Sequence, residues 1–322
     1  MTPTFHARFA LSLAVAVVLT PAAIAAQGPA EQVAPRAPGY VAPRLPWGDP
    51  DLEGIWPSID MVRVPMERPR QFGTRVLMNV EEHAVVQKRE EERIATMARD
   101  GAGGATGAPG HWVEWGKSQL QTSLLVAPAD GRMPALTEDG RARQEAMPRG
   151  SMMGTMLRGP EDFTMWERCI SRGALGSTLP VLYNSGIDIT QGPGFVAIRY
   201  EMVHDFRVIP VDGRRHLSAS IRQYMGDARG RWQDDTLVVE TTNFTDHAMG
   251  LSMSLPGSTQ KRLTERFALA EDGKSLIYSG VVEDPVYLAK PAQWSGTWEY
   301  RPAMRHSNQK CEVELARKFL QQ

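Results

Sequence analysis

Titratable side chains of complementary types cluster in one short stretch of the chain, around His204 and Asp205. An imidazole titrates near neutral pH, so His204 suits proton transfer as a general acid or base. Asp205 and Glu201 are candidates to orient this imidazole, and Arg199 or Arg207 could stabilise negative charge that develops on a substrate. This set predicts acid/base chemistry on a small molecule.

A sixth candidate, His216, follows in the next loop and could serve the same site from its rim. Together with His204 it could ligate a divalent metal, but the spacing matches no metal motif, so we expect no metal. The competing interpretation is structural. It is a cross-strand charge ladder with a hydrogen-bonded His204, formed by Arg199, Glu201, Asp205 and Arg207.

The candidate residues belong to a run, 195–210, that alternates with the two-residue period of a β-strand. Adjacent residues on a flat strand point to opposite faces, so Asp205 could not orient His204 there. The two can share a site only if the strand is bulged or turned near Val203.

Alternating segments and turn residues also predict the fold. The hairpins 231–243 and 263–282 and a last strand at 293–300 indicate a mainly β protein. We expect an antiparallel meander that closes into a barrel or a strongly bent sheet, which hides its edges. The Gly54-x-Trp56 pattern resembles the opening strand of lipocalin-type barrels.

One surface helix, about 79–100, is expected, because Asn79 and Glu82 form a capping box. The predicted domains are a signal peptide at 1–26, a Pro-rich extended segment at 27–50, and a single β-rich domain at 51–322. The last of these carries a helical and loop insertion at 79–117 and long N-terminal loops.

Charge and cysteine content limit the setting of the protein. The formal net charge of −1 argues against nucleic-acid binding. The apolar run 10–19 is too short to span a bilayer, so we expect leader cleavage, no membrane insertion and a periplasmic or secreted protein. In such an oxidising compartment Cys169 and Cys311, the two cysteines of the chain, favour a disulfide. Cys169 as a nucleophile is the alternative.

Two functions remain open. No dinucleotide fingerprint or other cofactor motif is present, so the first is a cofactor-independent lyase, isomerase or hydrolase. Its substrate would be a small, partly hydrophobic or aromatic molecule, bound by Arg199, Arg207, Tyr200, Trp294 and Trp298. The second is a lipocalin-like carrier without turnover, whose pocket is lined by Trp294, Trp298, Tyr200, Met202 and Phe206. Oligomeric state is not indicated.

Six motifs spread over the chain resemble a large family of exported bacterial proteins, mostly described only as hypothetical. They are PWGDPDLEGIW (46–56), TSLLVAPADGR (122–132), ERC (167–169), EMVHD (201–205), GDARGRW (226–232) and DTLVVETTNF (235–244). The resemblance implies export but no particular reaction. Family members often end in Cys-His-Glu-Gly-Asn, whereas Glu312 and Val313 follow Cys311 here.

Overall fold

Ten β-strands and three α-helices make up most of the regular structure in the computed structural model, which describes residues 40–100, 113–148, 158–246 and 255–307. The strands are β1 (Gly54–Ile55), β2 (Leu125–Ala127), β3 (Ile187–Gly192), β4 (Phe195–Tyr200), β5 (Phe206–Pro210), β6 (Asp227–Gln233), β7 (Thr236–Thr242), β8 (Arg262–Leu269), β9 (Ser275–Glu283) and β10 (Ala292–Glu299). The helices are α1 (Val80–Asp100), α2 (Glu138–Glu145) and α3 (Gly173–Thr178).

The strands form two antiparallel sheets. One has four strands in the order β1-β3-β4-β5, and the other has six in the order β2-β10-β9-β8-β7-β6. Consecutive strands β6 to β10 pair with their neighbours in sequence, as the alternating segments and turn residues predicted. The expectation of a mainly β, antiparallel fold is therefore confirmed.

The two sheets approach each other at β5 and β6. No ladder joins these strands, but a side chain at Gly230 of β6 would collide with Ile209 and Val211, so packing is close at that end. Elsewhere the amide of Arg301, just after β10, donates to the carbonyl of Ile55 in β1 at 3.0 Å. The inner faces of both sheets share one apolar core.

Aromatic rings fill much of that core. Trp294 and Trp298 of β10 are fully buried, and the Tyr278 and Trp298 rings stack with their centroids 4.8 Å apart. Gly280 leaves the space that the Trp294 ring occupies, since any β-carbon there would overlap the ring. The interior next to β10 is therefore filled by side chains.

The expected surface helix is confirmed as α1. The Asn79 side chain accepts the Glu82 amide at 2.8 Å, and the Glu82 carboxylate accepts the Asn79 amide at 3.0 Å. This is the reciprocal capping box that the sequence predicted. The two shorter helices α2 and α3 were not predicted, and every residue of α3 is buried.

Part of the Pro-rich segment lies along the body of the protein. The Tyr40 hydroxyl donates to the carbonyl of Ala270 at 3.2 Å, and Arg44 pairs with Asp235 at 2.6 Å. These contacts tie residues 40–50 to the ends of β7 and β8. All described residues belong to one compact unit, Pro35–Gln322.

Two predictions fall on residues outside the described ranges. The signal peptide at 1–26 is one of them. The other is the disulfide: Cys169 is not a free thiol, but Cys311 lies outside the described residues. The Cys169–Cys311 pairing therefore stays a prediction.

The strand pattern of 195–210 does not form a single strand. The run forms a hairpin, in which β4 and β5 are joined by a turn at 201–205. The break that a shared site near His204 required is present at Val203. It also changes which residues face inward: even-numbered residues are buried in β4, whereas odd-numbered ones are buried in β5.

Because the buried positions change from even to odd numbers, the Arg207 side chain points into the core. Its Nη2 lies 2.6 Å from Oε2 of Glu265 on β8, and both side chains are almost fully buried. Arg207 also donates to the hydroxyls of Thr241 at 2.9 Å and Tyr200 at 3.3 Å. Burial opposes its charge, but Glu265 and Tyr200 outweigh burial, so the pKa of Arg207 is raised.

The ion pair thus links the two sheets through the core. We expect Glu265→Gln to lower the free energy of unfolding by about 3–5 kcal/mol, because it leaves the Arg207 charge buried without its partner. Asp188→Asn breaks the exposed cross-strand pair with Arg199 and should cost less than about 1 kcal/mol. Urea denaturation of both variants checks the prediction, and equal small losses would contradict it.

Candidate active site

The turn between β4 and β5 has an uncommon backbone. Val203 and His204 both adopt left-handed conformations, with φ of 61° and 58°. Tyr200 N–H donates to the Asp205 carbonyl at 2.8 Å, which closes the hairpin around them. A β-branched residue rarely adopts positive φ, because its side chain is crowded there. Such strain concentrates at functional sites.

This turn borders an open cleft of about 690 Å³ between β5 and β6. Residues 203–208 form one wall, residues 222–228 form the opposite wall, and Ile170 and Ser171 complete the lining. The cleft lies where the two sheets approach without pairing. Its lining combines apolar side chains (Phe206, Val208, Tyr224, Met225) with titratable ones (His204, Asp205, Arg222, Asp227), the mixture typical of small-molecule sites.

His204 is exposed at the rim of the cleft. Among the described residues, no side chain hydrogen-bonds its imidazole. The expectation that Asp205 or Glu201 orients this ring is therefore wrong, because both carboxylates bind other groups. The imidazole faces solvent and any molecule in the cleft.

Asp205 lines the same cleft but anchors the segment before α3. Its Oδ2 accepts the Ser171 hydroxyl at 3.0 Å, the Arg172 amide at 2.9 Å and the Ser177 hydroxyl at 3.3 Å. Oδ1 takes none of these bonds. Burial raises the pKa of Asp205, although the hydrogen bonds and the Arg172 charge oppose the rise. A carboxyl of raised pKa in a cleft is suited to proton transfer.

Glu201 lies behind the turn and does not line the cleft. It is buried, and it accepts the Ser307 amide at 2.7 Å and the Gly186 amide at 3.2 Å. The His306 ring and the Glu201 carboxylate both pack against Gly186, so a side chain at that position would collide with each of them. Burial lowers the pKa of His306, and neither ring nitrogen has a hydrogen-bond partner. The structure therefore gives Glu201 a positioning role for the turn.

His216 lies on the far side of β6 from the core, in the loop that joins β5 to β6. Its Nδ1 is 2.8 Å from Oδ2 of Asp227, and its Nε2 is 3.4 Å from Oε1 of Glu240. Asp227 itself lines the cleft and also receives the Arg229 guanidinium at 2.6 Å. His216 thus reaches the cleft only through Asp227.

The two predicted substrate-binding arginines face opposite ways. Arg199 is exposed and pairs with Asp188 directly across from it on β3. The predicted charge ladder is therefore wrong, because its four members each bind other groups and do not pair with one another. Arg207 is buried against Glu265. Arg222, which the sequence did not single out, lines the cleft, is exposed and forms no contact with a described carboxylate. It is the cation best placed to meet a ligand.

The aromatic residues proposed for substrate or carrier binding do not form a shared pocket. Tyr200, Met202, Trp294 and Trp298 are buried in the core, whereas Phe206 projects outward and is 67 % exposed. The Tyr200 hydroxyl instead meets Thr178 at 2.9 Å and Arg207. The prediction that these five side chains line one pocket is therefore wrong.

Neither a membrane-spanning helix nor a cluster of three metal-ligating side chains occurs in the described ranges. Among these residues no helix combines the length and apolar character that a bilayer crossing needs. Within the same ranges, His, Cys, Asp and Glu side chains do not gather in threes with the geometry of a metal site.

Comparison with known proteins adds no relative. No family model matches the chain, and no significant match is found among curated proteins or solved structures. The resemblance to exported bacterial proteins stays a prediction, and the site has to be interpreted from its own geometry.

The pH dependence of stability tests whether the Asp205 carboxyl is buried as the structure shows. A raised pKa means that the folded protein holds the Asp205 proton more tightly than the unfolded chain does. Its contribution to stability is therefore complete at low pH and is lost as pH rises through the folded-state pKa.

We expect the free energy of unfolding of the wild type to fall relative to that of Asp205→Asn as pH rises from about 4, the usual aspartate pKa. Urea denaturation over a pH series measures the difference between the two proteins. A difference that is constant, or that changes in the opposite direction, would show that Asp205 is not destabilised as a carboxylate.

Proposed function

We propose that the protein is an exported, cofactor-independent enzyme that transfers protons to or from a small, partly aromatic molecule bound in the cleft between β5 and β6. One observation carries the proposal. His204 stands on a strained turn at the rim of an open cleft that also holds the half-buried Asp205 carboxyl.

In this proposal the substrate lies between the apolar wall of Phe206 and Val208 and the loop bearing Tyr224. His204 and Asp205 are the proton-transfer groups, and each holds the atom it needs without a competing bond: the His204 ring nitrogens and Asp205 Oδ1. Arg222 stabilises negative charge that develops as the proton leaves. Lyase, isomerase and hydrolase chemistry all require such a step.

The positioning of these groups depends on the surrounding contacts. Glu201 holds the turn through the amides of Gly186 and Ser307, and Arg207 fixes β5 to the six-stranded sheet. His216 supports the opposite wall through Asp227. These residues act through the backbone and do not touch the substrate.

A carrier without turnover is the other proposal. Its lipocalin-like form, a closed barrel with a ligand inside, requires interior space, whereas the core beside β10 is filled by Trp294 and Trp298. A carrier would therefore hold its ligand in the same cleft as the enzyme. Export to the periplasm or beyond is proposed from the leader predicted at 1–26.

Nitrobenzisoxazole provides a direct test, because its ring opens when a base removes one carbon-bound proton and the N–O bond breaks to give a coloured phenolate. The wild type should accelerate this reaction. His204→Ala should lower kcat/KM by about 100-fold, the usual contribution of one general acid or base. His83→Ala is the matched control, since His83 bonds Ser118 next to α1, outside the cleft.

The outcomes separate the two functions. Loss of turnover in a folded His204→Ala protein, with the control unchanged, supports the enzyme. If the wild type binds the compound, releases it unchanged and keeps its affinity in His204→Ala, the protein is a carrier and the enzyme proposal is wrong.

A further inference from the structure

One buried arginine next to the cleft has no ion-pair partner among the described residues. Arg172 is 7 % exposed and immediately precedes α3. Its Nε donates to the Gly176 carbonyl at 2.9 Å, and its guanidinium carbon lies 5.2 Å from the centre of the Trp166 ring. Neither contact neutralises its charge.

No described carboxylate forms an ion pair with Arg172. The acid beside it, Asp205, uses Oδ2 for the Ser171 and Ser177 hydroxyls and for the Arg172 backbone amide, rather than for the guanidinium. Nη1 and Nη2 therefore make no hydrogen bond to the described protein. Neither nitrogen is fully buried, so solvent reaches both of them.

The other buried arginines of the described ranges use their terminal guanidinium nitrogens, although Nε of Arg207 has no hydrogen-bond partner. Arg207 pairs with Glu265, and Arg68 donates to the Thr122 hydroxyl and to the carbonyls of Ala129 and Leu125. Arg172 differs because its fork of donors is unused. A guanidinium that is largely removed from water and has no ion-pair partner costs free energy, and proteins rarely keep one without a use.

The ionisation of Arg172 agrees with this geometry. Burial lowers the pKa of Arg172 to about 10, and the nearby Tyr183 and Asp205 only partly oppose that change. Arginine ordinarily stays charged under all conditions. An anion placed on Nη1 and Nη2 would restore the missing counter-charge.

We propose that Arg172 binds the carboxylate of a small aromatic acid, with Trp166 and Tyr183 beside it. A planar guanidinium fork matches a carboxylate bidentately, and the Trp166 ring holds the guanidinium in place. Ser171, which precedes Arg172, lines the cleft, and the Arg172 amide donates to Asp205 there, so the proposed carboxylate position adjoins the cleft wall. The inference names the substrate class of the proposed enzyme, and it rests on that function only for the link to turnover.

Benzoate and its neutral counterpart benzyl alcohol test the charge preference by titration calorimetry. The wild type should bind benzoate at least about tenfold more tightly than benzyl alcohol, the size of one charge-assisted hydrogen bond. Arg172→Met should abolish this preference. Arg75→Met, which removes an exposed arginine paired with Glu82 beside α1 and outside the cleft, should keep it.

Thermal unfolding distinguishes binding from a packing role. Without ligand, Arg172→Met should melt no lower than the wild type, because it removes an uncompensated buried charge. Benzoate should raise the Tm of the wild type and leave that of Arg172→Met unchanged. Arg172→Lys keeps the charge without the fork, and it should retain only part of the preference.

Two results would overturn the inference: a benzoate preference that survives in Arg172→Met, or no preference in the wild type. Its failure can be told apart from failure of the proposed function. Nitrobenzisoxazole turnover without a preference for benzoate would contradict only the anion site at Arg172. A preference for benzoate without turnover would contradict only the proposed enzymatic function.

Discussion

The buried ion pair between Arg207 and Glu265 is the constraint on which the arrangement around the cleft depends. Both groups are removed from water, so neither can be displaced without leaving the other charge uncompensated. Arg207 must therefore point inward from β5, although the alternation of β4 would place it outside. The turn at 201–205 makes this change of phase possible, and the left-handed backbone of Val203 and His204 is its consequence.

The same turn explains why titratable groups meet at the cleft. It places His204 at the rim, and it directs Asp205 toward the Ser171 hydroxyl and the Arg172 amide, which precede α3. Arg172 is brought to the same place by that anchoring, yet Asp205 does not neutralise its guanidinium. A half-buried acid and an unbound imidazole thus line one opening, and an arginine without an ion-pair partner lies beside its wall.

The sequence predicted those features that depend on local chemistry. The capping box of α1 and the hairpins from β6 to β10 were recognised because neighbouring residues specify them. The turn at Val203 opposes local preference, since a β-branched residue disfavours positive φ, and only tertiary pairing enforces it. The pairing of Arg207 with Glu265 joins distant parts of the chain, so periodicity could not reveal it. Of the candidate site, His204 and Asp205 were identified from residue type, whereas Arg172 and Arg222 carried no sequence signal.

We propose that a ligand occupies the cleft beside the 201–205 turn. Nuclear magnetic resonance of protein with carbon-13-labelled histidine tests it most directly, with nitroindazole as an unreactive isostere of nitrobenzisoxazole. Saturating nitroindazole should shift the His204 ring signal and leave that of His83 in place. If the His204 signal stays fixed while the compound binds, the ligand lies elsewhere and the account of the cleft is wrong.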